Sequence, residues 1–161
     1  MSIEHFNRCV DDHSDGVYRF ILKNIKDEEK ARDIVQDAFE KLWHKLETVA
    51  PEKIKSYLFS TAYHTMIDVI RKDKRMIGME IIHDEMYSHS AQYTDLNEVL
   101  HEAVDKLPEI QRSVLLLRDY EGYSYNEIAV ITGLNQSQVK VYIYRARESM
   151  KKYIGKMEML I

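Results

Sequence analysis

The C-terminal part of the chain carries polar and aromatic residues at helical spacing whose side chains could bind nucleic acid. On a helical wheel, the outward arc of this segment centres on Val141, Tyr144 and Arg145. Arginine and glutamine can form hydrogen bonds with base edges, apolar groups can contact thymine methyls, and basic side chains can hold phosphates. We therefore expect a DNA-reading surface made of Ser137, Gln138, Lys140, Val141, Tyr142, Tyr144, Arg145 and Arg147.

The element that positions these residues has the pattern of a helix-turn-helix. Two short helices meet across residues 132–134, where a glycine ends the first of them. Ser124 and Glu127 have the spacing of a capping box, and Asn135 with Gln138 repeats it before the second helix. The alternative is that the basic helix is an ordinary solvated surface. The two caps and the intervening glycine favour the helix-turn-helix.

The charge of the chain is unevenly distributed although the net value is −4. Residues 53–75 and 136–161 each carry six basic and two acidic side chains, a balance of +4. Residues 76–111 carry eight acidic side chains and one lysine, a balance of −7. This pattern predicts two basic modules separated by an acidic connector.

The composition predicts helices throughout, because 5 glycines and 2 prolines are too few for a turn-rich β fold. Residues 3–25 are predicted to form two short helices broken near residues 12–16. Asp27 is expected to cap a helix that ends near Leu46 and turns Trp43 inward with the other apolar residues.

The remaining segments complete this prediction. A basic helix is expected from about Lys53 to Arg75, and Pro108 is expected to be the first residue of a helix that stops at Gly122. The fold class is therefore all-α. Two small helical domains, residues 1–75 and 95–161, are expected to be joined by a flexible acidic linker, residues 76–94.

Several classes of protein are excluded by what the sequence lacks. Residues 1–10 contain no apolar run of a signal peptide, and the longest such run, residues 114–117, is too short to cross a bilayer. A lone Cys9 suits a reducing compartment, and His5 with Cys9 gives only two potential metal ligands. We expect a cytoplasmic, non-enzymatic protein with no metal, no cofactor, no small-molecule substrate and no membrane insertion.

Motifs in both halves resemble those of the extracytoplasmic-function sigma factors, a group of the sigma-70 family of RNA polymerase sigma factors. The C-terminal half is similar to region 4 in residues 107–109, 112, 117–118, 121–125, 127–129, 133, 139–140 and 145–147. The N-terminal half is similar to region 2 in residues 33–39, 42–43, 58–59, 62, 67–68 and 71. The resemblance covers about residues 5–155 in the right order, and it implies that the helix-turn-helix reads the −35 element of a promoter.

The resemblance also implies partners for the first half. The helix that follows Asp27 is similar to the one that docks on the β′ clamp helices of core RNA polymerase. Its expected contacts are Asp33, Gln36, Asp37 and Glu40. Without the family pattern, the same side chains would be read as a solvated acidic face. A second polymerase contact is implied at the β flap.

The basic helix is similar to the segment that opens the −10 promoter element in the family. Aromatic side chains near lysines suit the stacking of bases beside phosphate contacts, although some could be core residues instead. The expected contacts are Lys53, Lys55, Tyr57, Tyr63, His64, Arg71, Lys74 and Arg75. The family usually has asparagine at the position of His64, so base preference there need not follow the family.

The resemblance further implies control by an anti-sigma factor and an acidic linker threaded into the polymerase, for which plain disorder is the alternative. The main competing hypothesis is a stand-alone helix-turn-helix regulator whose first half senses a signal. A third is an interaction protein that uses the acidic helix without binding DNA. Binding to core RNA polymerase and to promoter DNA would separate the three.

Overall fold

The computed structural model describes residues 3–77 and 96–159, and all regular structure in those two ranges is helical. The all-α prediction is therefore confirmed. The predicted linker, residues 76–94, lies almost wholly outside the described residues. Its first two residues, Met76 and Ile77, belong to the end of the preceding helix.

Three helices form the first half of the protein: α1 (Ile3–Ile25), α2 (Glu28–His44) and α3 (Ile54–Ile77). The expected break of α1 near residues 12–16 is wrong, because the helix runs through Gly16 without interruption. Val17 and Ile21 just after this glycine are fully buried. Their packing outweighs the low helix propensity of glycine, a weak preference that tertiary contacts override.

Helix α2 begins as expected, since the Asp27 side chain accepts a hydrogen bond from the Lys30 backbone N–H at 3.1 Å. The helix ends at His44, two residues before the expected end at Leu46. The predicted burial of Trp43 is wrong, because 44% of this residue is exposed. Trp43 lies at the margin of the apolar stripe, where it packs on Phe6 with a ring separation of 4.9 Å instead of entering the core.

Four helices form the second half: α4 (Leu96–Asp105), α5 (Glu109–Leu115), α6 (Tyr125–Thr132) and α7 (Gln136–Met159). Pro108, predicted as the first residue of this helix, is instead its N-cap, so α5 begins one position later, at Glu109. The helix after it does not stay regular up to Tyr120. Residues 116–120 form a π-helical segment, in which the Glu121 N–H bonds to the Leu116 carbonyl.

The local signals of the helix-turn-helix are all present. Ser124 and Glu127 form the reciprocal capping box at the start of α6. Gly133 ends α6 in the left-handed conformation at φ +81°, which residues with a side chain rarely adopt. Asn135 and Gln138 exchange the same pair of hydrogen bonds at the start of α7, at 2.8 and 3.0 Å. The turn between the two helices is therefore fixed by residues within or beside it.

Removing the first cap should destabilise the protein measurably. The Ser124→Ala variant loses the hydroxyl that accepts from the Glu127 N–H at 3.1 Å. We expect the free energy of unfolding to fall by about 1 kcal/mol, the usual effect of losing an N-cap. Chemical denaturation followed by circular dichroism measures it. Ser124→Asp, which restores an acceptor, should recover most of the loss; equal stability of all three proteins would contradict the assignment.

The two halves pack against each other through an aromatic cluster. Phe59 of α3 is fully buried and lies 5.7 Å from Phe20 of α1 and 5.4 Å from Tyr123, which precedes α6. Most of the buried apolar residues of both halves belong to one continuous core. The two helical groups expected from the sequence thus lie in direct contact.

Candidate nucleic-acid interface

The outward face of α7 is open to solvent as the sequence predicted. Tyr144 is 66% exposed and Val141 44% exposed, while Val139, Ile143 and Ala146 on the opposite face are buried. The exposed candidates on this face are Ser137, Gln138, Lys140, Val141, Tyr144, Arg145 and Arg147. Half-buried Tyr142 packs against the core. An exposed amphipathic helix after a tight turn can enter a DNA major groove.

Three of these side chains already have partners within the protein. The Gln138 side-chain oxygen accepts the Asn135 N–H in the helix cap. The Arg147 guanidinium bonds to both oxygens of the Asp119 carboxylate, at 2.6 and 3.4 Å, and this pairing raises the Arg147 pKa. The Lys140 ammonium lies 5.7 Å from the centre of the Tyr125 ring.

Arg145 differs from these three. It is exposed, and it forms no hydrogen bond or ion pair with any residue in the two ranges that the structure describes. Its five N–H donors are thus available to an external acceptor such as a guanine edge or a phosphate. Among the basic side chains on the centre of this face, Arg145 is the best placed to read a base.

The candidates on α3 fall into two groups. Lys53, Lys55, His64, Arg71, Lys74 and Arg75 are exposed, which leaves a basic surface along the helix and its preceding turn. Tyr57 is half-buried and Tyr63 is only 4% exposed. Burial raises the Tyr63 pKa to about 12. Tyr63 cannot stack on a base in this arrangement, because its ring is part of the core.

One face of α3 lies against the helix-turn-helix. The Ser60 hydroxyl donates to the Ile131 carbonyl of α6 at 3.3 Å. One turn further, the His64 ring approaches Gly133, where an added Cβ would lie 3.9 Å from it. The Lys55 ammonium lies 5.0 Å from the centre of the Tyr123 ring. Sequence reasoning missed Ser60, since nothing in its local pattern indicates a partner 71 residues away.

The acidic face of α2 is accessible to solvent. Asp33, Gln36 and Glu40 are exposed and have no hydrogen bond or ion pair with the residues described in the structure. Asp37 is half-buried; its carboxylate pairs with Lys41 at 3.0 Å and accepts from Thr65 at 3.4 Å. Three of the four predicted contacts are therefore free for an external partner.

A shallow apolar recess of about 490 Å³ lies beside this acidic face. It is lined by Phe6, Gln36, Phe39, Glu40, Trp43 and His44. Trp43 forms the exposed wall of the recess. The lining therefore combines a large aromatic surface with Gln36 and Glu40, two side chains of the predicted docking surface. Sequence reasoning assigned Trp43 to the core. Its position at the edge of the apolar stripe was the one signal that could have placed it here.

Within residues 3–77 and 96–159, no group of three or more potential metal ligands lies together. Over the same ranges, no helix has the length and apolar character needed to cross a bilayer. Cys9 is buried, and this burial raises the pKa of its thiol.

Comparison with known proteins gives matches over both halves. Residues 9–76 match the family model for sigma-70 region 2, and residues 97–150 match that for sigma-70 region 4. The RNA polymerase sigma factor SigV of Bacillus subtilis is 36% identical over 149 residues, which cover 92% of this chain and 90% of SigV. YlaC, a sigma factor of the same organism, is 32% identical over 87% of this chain and 86% of its own length.

The fold is also similar to a solved structure. The sigma factor RpoE of Bartonella quintana, in complex with the anti-sigma factor NepR, superposes with a TM-score of 0.80. The match is 24% identical and covers 95% of this chain and 98% of RpoE. Together, the two family models and the relatives matched over most of their length show that the chain belongs to the extracytoplasmic-function group of the sigma-70 family, the RNA polymerase subunits that direct promoter-specific transcription initiation.

Proposed function

We propose that this sigma factor docks on core RNA polymerase through α2, opens the −10 element with α3 and reads the −35 element with α7. The observation that carries the proposal is that one chain presents two separate exposed surfaces of different chemistry. The α7 face offers Arg145 beside Val141 and Tyr144, and the α2 face offers unpaired acceptors beside Trp43. Residues 1–75 and 95–161 would form the two functional domains, joined by residues 76–94.

On α7, apolar contact supplies much of the proposed −35 readout. Val141 and Tyr144 are the most exposed large apolar groups at the centre of the face, and both can contact thymine methyls. Arg145 supplies the base-edge hydrogen bonds. Ser137, Lys140 and Arg147 would position the helix on phosphates, and Arg147 does so once its ion pair with Asp119 is exchanged for one with DNA. Gln138 and Tyr142 contribute at the edges.

On α3, the exposed basic residues are proposed to hold the phosphates of the −10 element. Lys53 and Lys55 precede and begin the helix, and Arg71, Lys74 and Arg75 follow at its end. His64 lies midway and can stack on or bond to an unpaired base. Tyr63 can contribute only when the packing around it changes, because its ring is buried, whereas half-buried Tyr57 keeps part of its surface accessible.

We infer four further properties from the family. The protein acts in the cytoplasm, where RNA polymerase acts, and it has no catalytic activity of its own. Its second contact with the polymerase is at the β flap, through the second half of the chain. An anti-sigma factor holds it inactive, an inference supported by the similar sigma factor solved together with NepR.

Purification with core RNA polymerase, followed by run-off transcription, tests the proposed function. The tagged protein should retain core subunits, and the reconstituted holoenzyme should initiate at promoters found by mapping its binding sites on chromatin. Duplex binding without retention of core polymerase would instead identify a stand-alone regulator. Retention of core polymerase without promoter binding would identify an interaction protein.

Reversing the charge of Glu40 tests the docking surface more cleanly than a change at Asp37. Glu40 has no described partner, whereas reversal at Asp37 would also repel Lys41 of the same helix. We expect Glu40→Lys to weaken binding to core polymerase about three- to tenfold. The affinity of the variant should also change less with salt concentration than that of the wild type. Fluorescence anisotropy with labelled protein measures this. Glu47→Lys, exposed beyond the end of α2, is the control, and equal effects of both would contradict the assignment.

A further inference from the structure

One basic side chain of the DNA-reading face is already neutralised inside the protein. Among the basic candidates of both DNA surfaces, Arg147 is the one that forms an ion pair with a residue in the ranges 3–77 and 96–159. Its Nη2 and Nε atoms lie 2.6 and 3.4 Å from the two oxygens of the Asp119 carboxylate. Arginine directs pairs of N–H groups at the oxygens of a phosphate in the same way. Asp119 therefore occupies the place on Arg147 that a DNA phosphate would take.

An irregular turn positions this carboxylate. Residues 116–120 form the π-helical segment after α5, and Asp119 lies in it. Such turns are rare and occur frequently at functional sites. Arg118 fixes the segment, since its Nη1 donates to the Tyr123 carbonyl at 2.9 Å and its guanidinium lies 4.6 Å from the centre of the Tyr125 ring. Contacts other than the ion pair therefore keep Asp119 beside α7.

We propose that Asp119 is a specificity-determining residue of the −35 interface, because its carboxylate competes with DNA phosphates for Arg147. The proposal rests on the proposed function of α7. On an unrelated sequence, Arg147 stays paired with Asp119 and the helix lacks one phosphate contact. On the promoter, the base contacts of Arg145, Val141 and Tyr144 hold the helix in the major groove, and Arg147 exchanges its carboxylate for a phosphate. Asp119 thus lowers the affinity for unrelated DNA more than the affinity for the promoter.

The ion pair is weak enough to be exchanged in this way. The Arg147 side chain is 50% exposed and that of Asp119 is 37% exposed. Exposed pairs contribute little to stability, because water solvates both charges well. A phosphate must nevertheless displace the carboxylate and approach its negative charge, which favours DNA that base contacts already hold close to Arg147. Binding to unrelated DNA depends almost entirely on phosphate contacts, so the loss of one such contact matters most there.

Asp119→Asn tests the proposal in holoenzyme reconstituted with core polymerase. The two probes are a duplex of a mapped promoter and the same duplex with a scrambled −35 element. We expect the variant to bind the scrambled duplex about two- to fivefold more tightly than the wild type does, and the intact promoter less than about twofold more tightly. On the scrambled duplex, the slope of log affinity against log salt concentration should steepen by about 0.9, the value for one added phosphate contact. Asp119→Glu keeps a carboxylate and should retain the wild-type discrimination.

Two further variants separate this competition from a general effect of charge. Arg147→Ala should weaken binding to the intact promoter and leave the scrambled duplex unchanged. Adding Asp119→Asn to Arg147→Ala should then have no effect on discrimination, because the competition needs both partners. Glu148→Gln removes the same charge from the exposed residue next to Arg147, and it should change the affinity for both duplexes equally.

Three results would overturn the role of Asp119. The first is an Asp119→Asn variant that discriminates between the duplexes like the wild type, whatever its stability. The second is an effect of this variant on discrimination that persists without Arg147, and the third is an equal effect of Glu148→Gln on discrimination. A wild-type holoenzyme that does not distinguish the two duplexes would instead remove the proposed −35 readout by α7, and the role of Asp119 with it.

Discussion

Replacing Trp43 with alanine is expected to weaken binding to core RNA polymerase by about 30-fold, or about 2 kcal/mol. A partly exposed tryptophan at the wall of a recess has the features of an interface hot spot, since it buries a large rigid surface when a partner covers it. Gln36 and Glu40 line the same recess and supply the polar rim. Titration of labelled protein with core polymerase measures the affinity.

Two controls separate binding from stability. Trp43 packs on Phe6, so the alanine variant also loses a ring contact within the protein, and its unfolding must be measured alongside. Trp43→Phe keeps an aromatic group and should retain most of the affinity. Val130→Ala removes another exposed apolar side chain, 66% accessible on α6, and should leave the affinity unchanged. A Trp43→Ala protein that folds normally and binds core polymerase like the wild type would exclude the recess from the docking surface.

The second large effect is expected at Arg145. Arg145→Ala should lower affinity for the −35 element by about 1–3 kcal/mol and relax the base preference at one position. The reason is that Arg145 is exposed and has no described partner. Arg147, in contrast, forms an ion pair with Asp119, and the Gln138 side chain accepts a hydrogen bond in the helix cap. Competition binding with duplexes substituted at each position of the element measures both quantities.

Lys152→Ala is the matched control for this prediction. Lys152 lies two turns after Arg145 on the same exposed face of α7, so its removal takes away the same charge from a site further along the helix. For Lys152→Ala we expect a smaller loss of DNA affinity that is equal on all duplex sequences. The affinity should also depend less steeply on salt concentration. If Arg145→Ala also weakens all duplexes equally, Arg145 contacts phosphate and the base readout belongs to other residues of the face.

The features that sequence predicted well are those set by near neighbours. The Ser124–Glu127 box and the Asn135–Gln138 cap each join residues three apart, and Gly133 alone supplies the left-handed turn between them. Such signals act within one helical turn, so they do not depend on the rest of the fold. Helical periodicity in the same way identified the outward face of α7 and the acidic face of α2.

Burial at the margins of the helices required the tertiary structure. Trp43 and Tyr63 are both aromatic residues that lie beside the apolar stripe of their helix. Trp43 is nevertheless 44% exposed, whereas Tyr63 is 4% exposed. Periodicity gives the direction of a side chain but not which element covers it. Similarly, the local pattern predicted a break in α1, but the helix is continuous. The burial of Val17 and Ile21 stabilises it, and that burial depends on other helices.

By itself, the sequence determined an all-α chain with an acidic helix face, a basic helix and a capped helix-turn-helix, because each depends on spacing along one segment. Only the tertiary structure decided how these parts meet. The Arg19–Glu121 pair spans 102 residues and the Ser60–Ile131 bond spans 71, distances over which no local pattern carries information. Those long-range contacts place the helix-turn-helix against α3, because neither partner's sequence neighbourhood specifies the other.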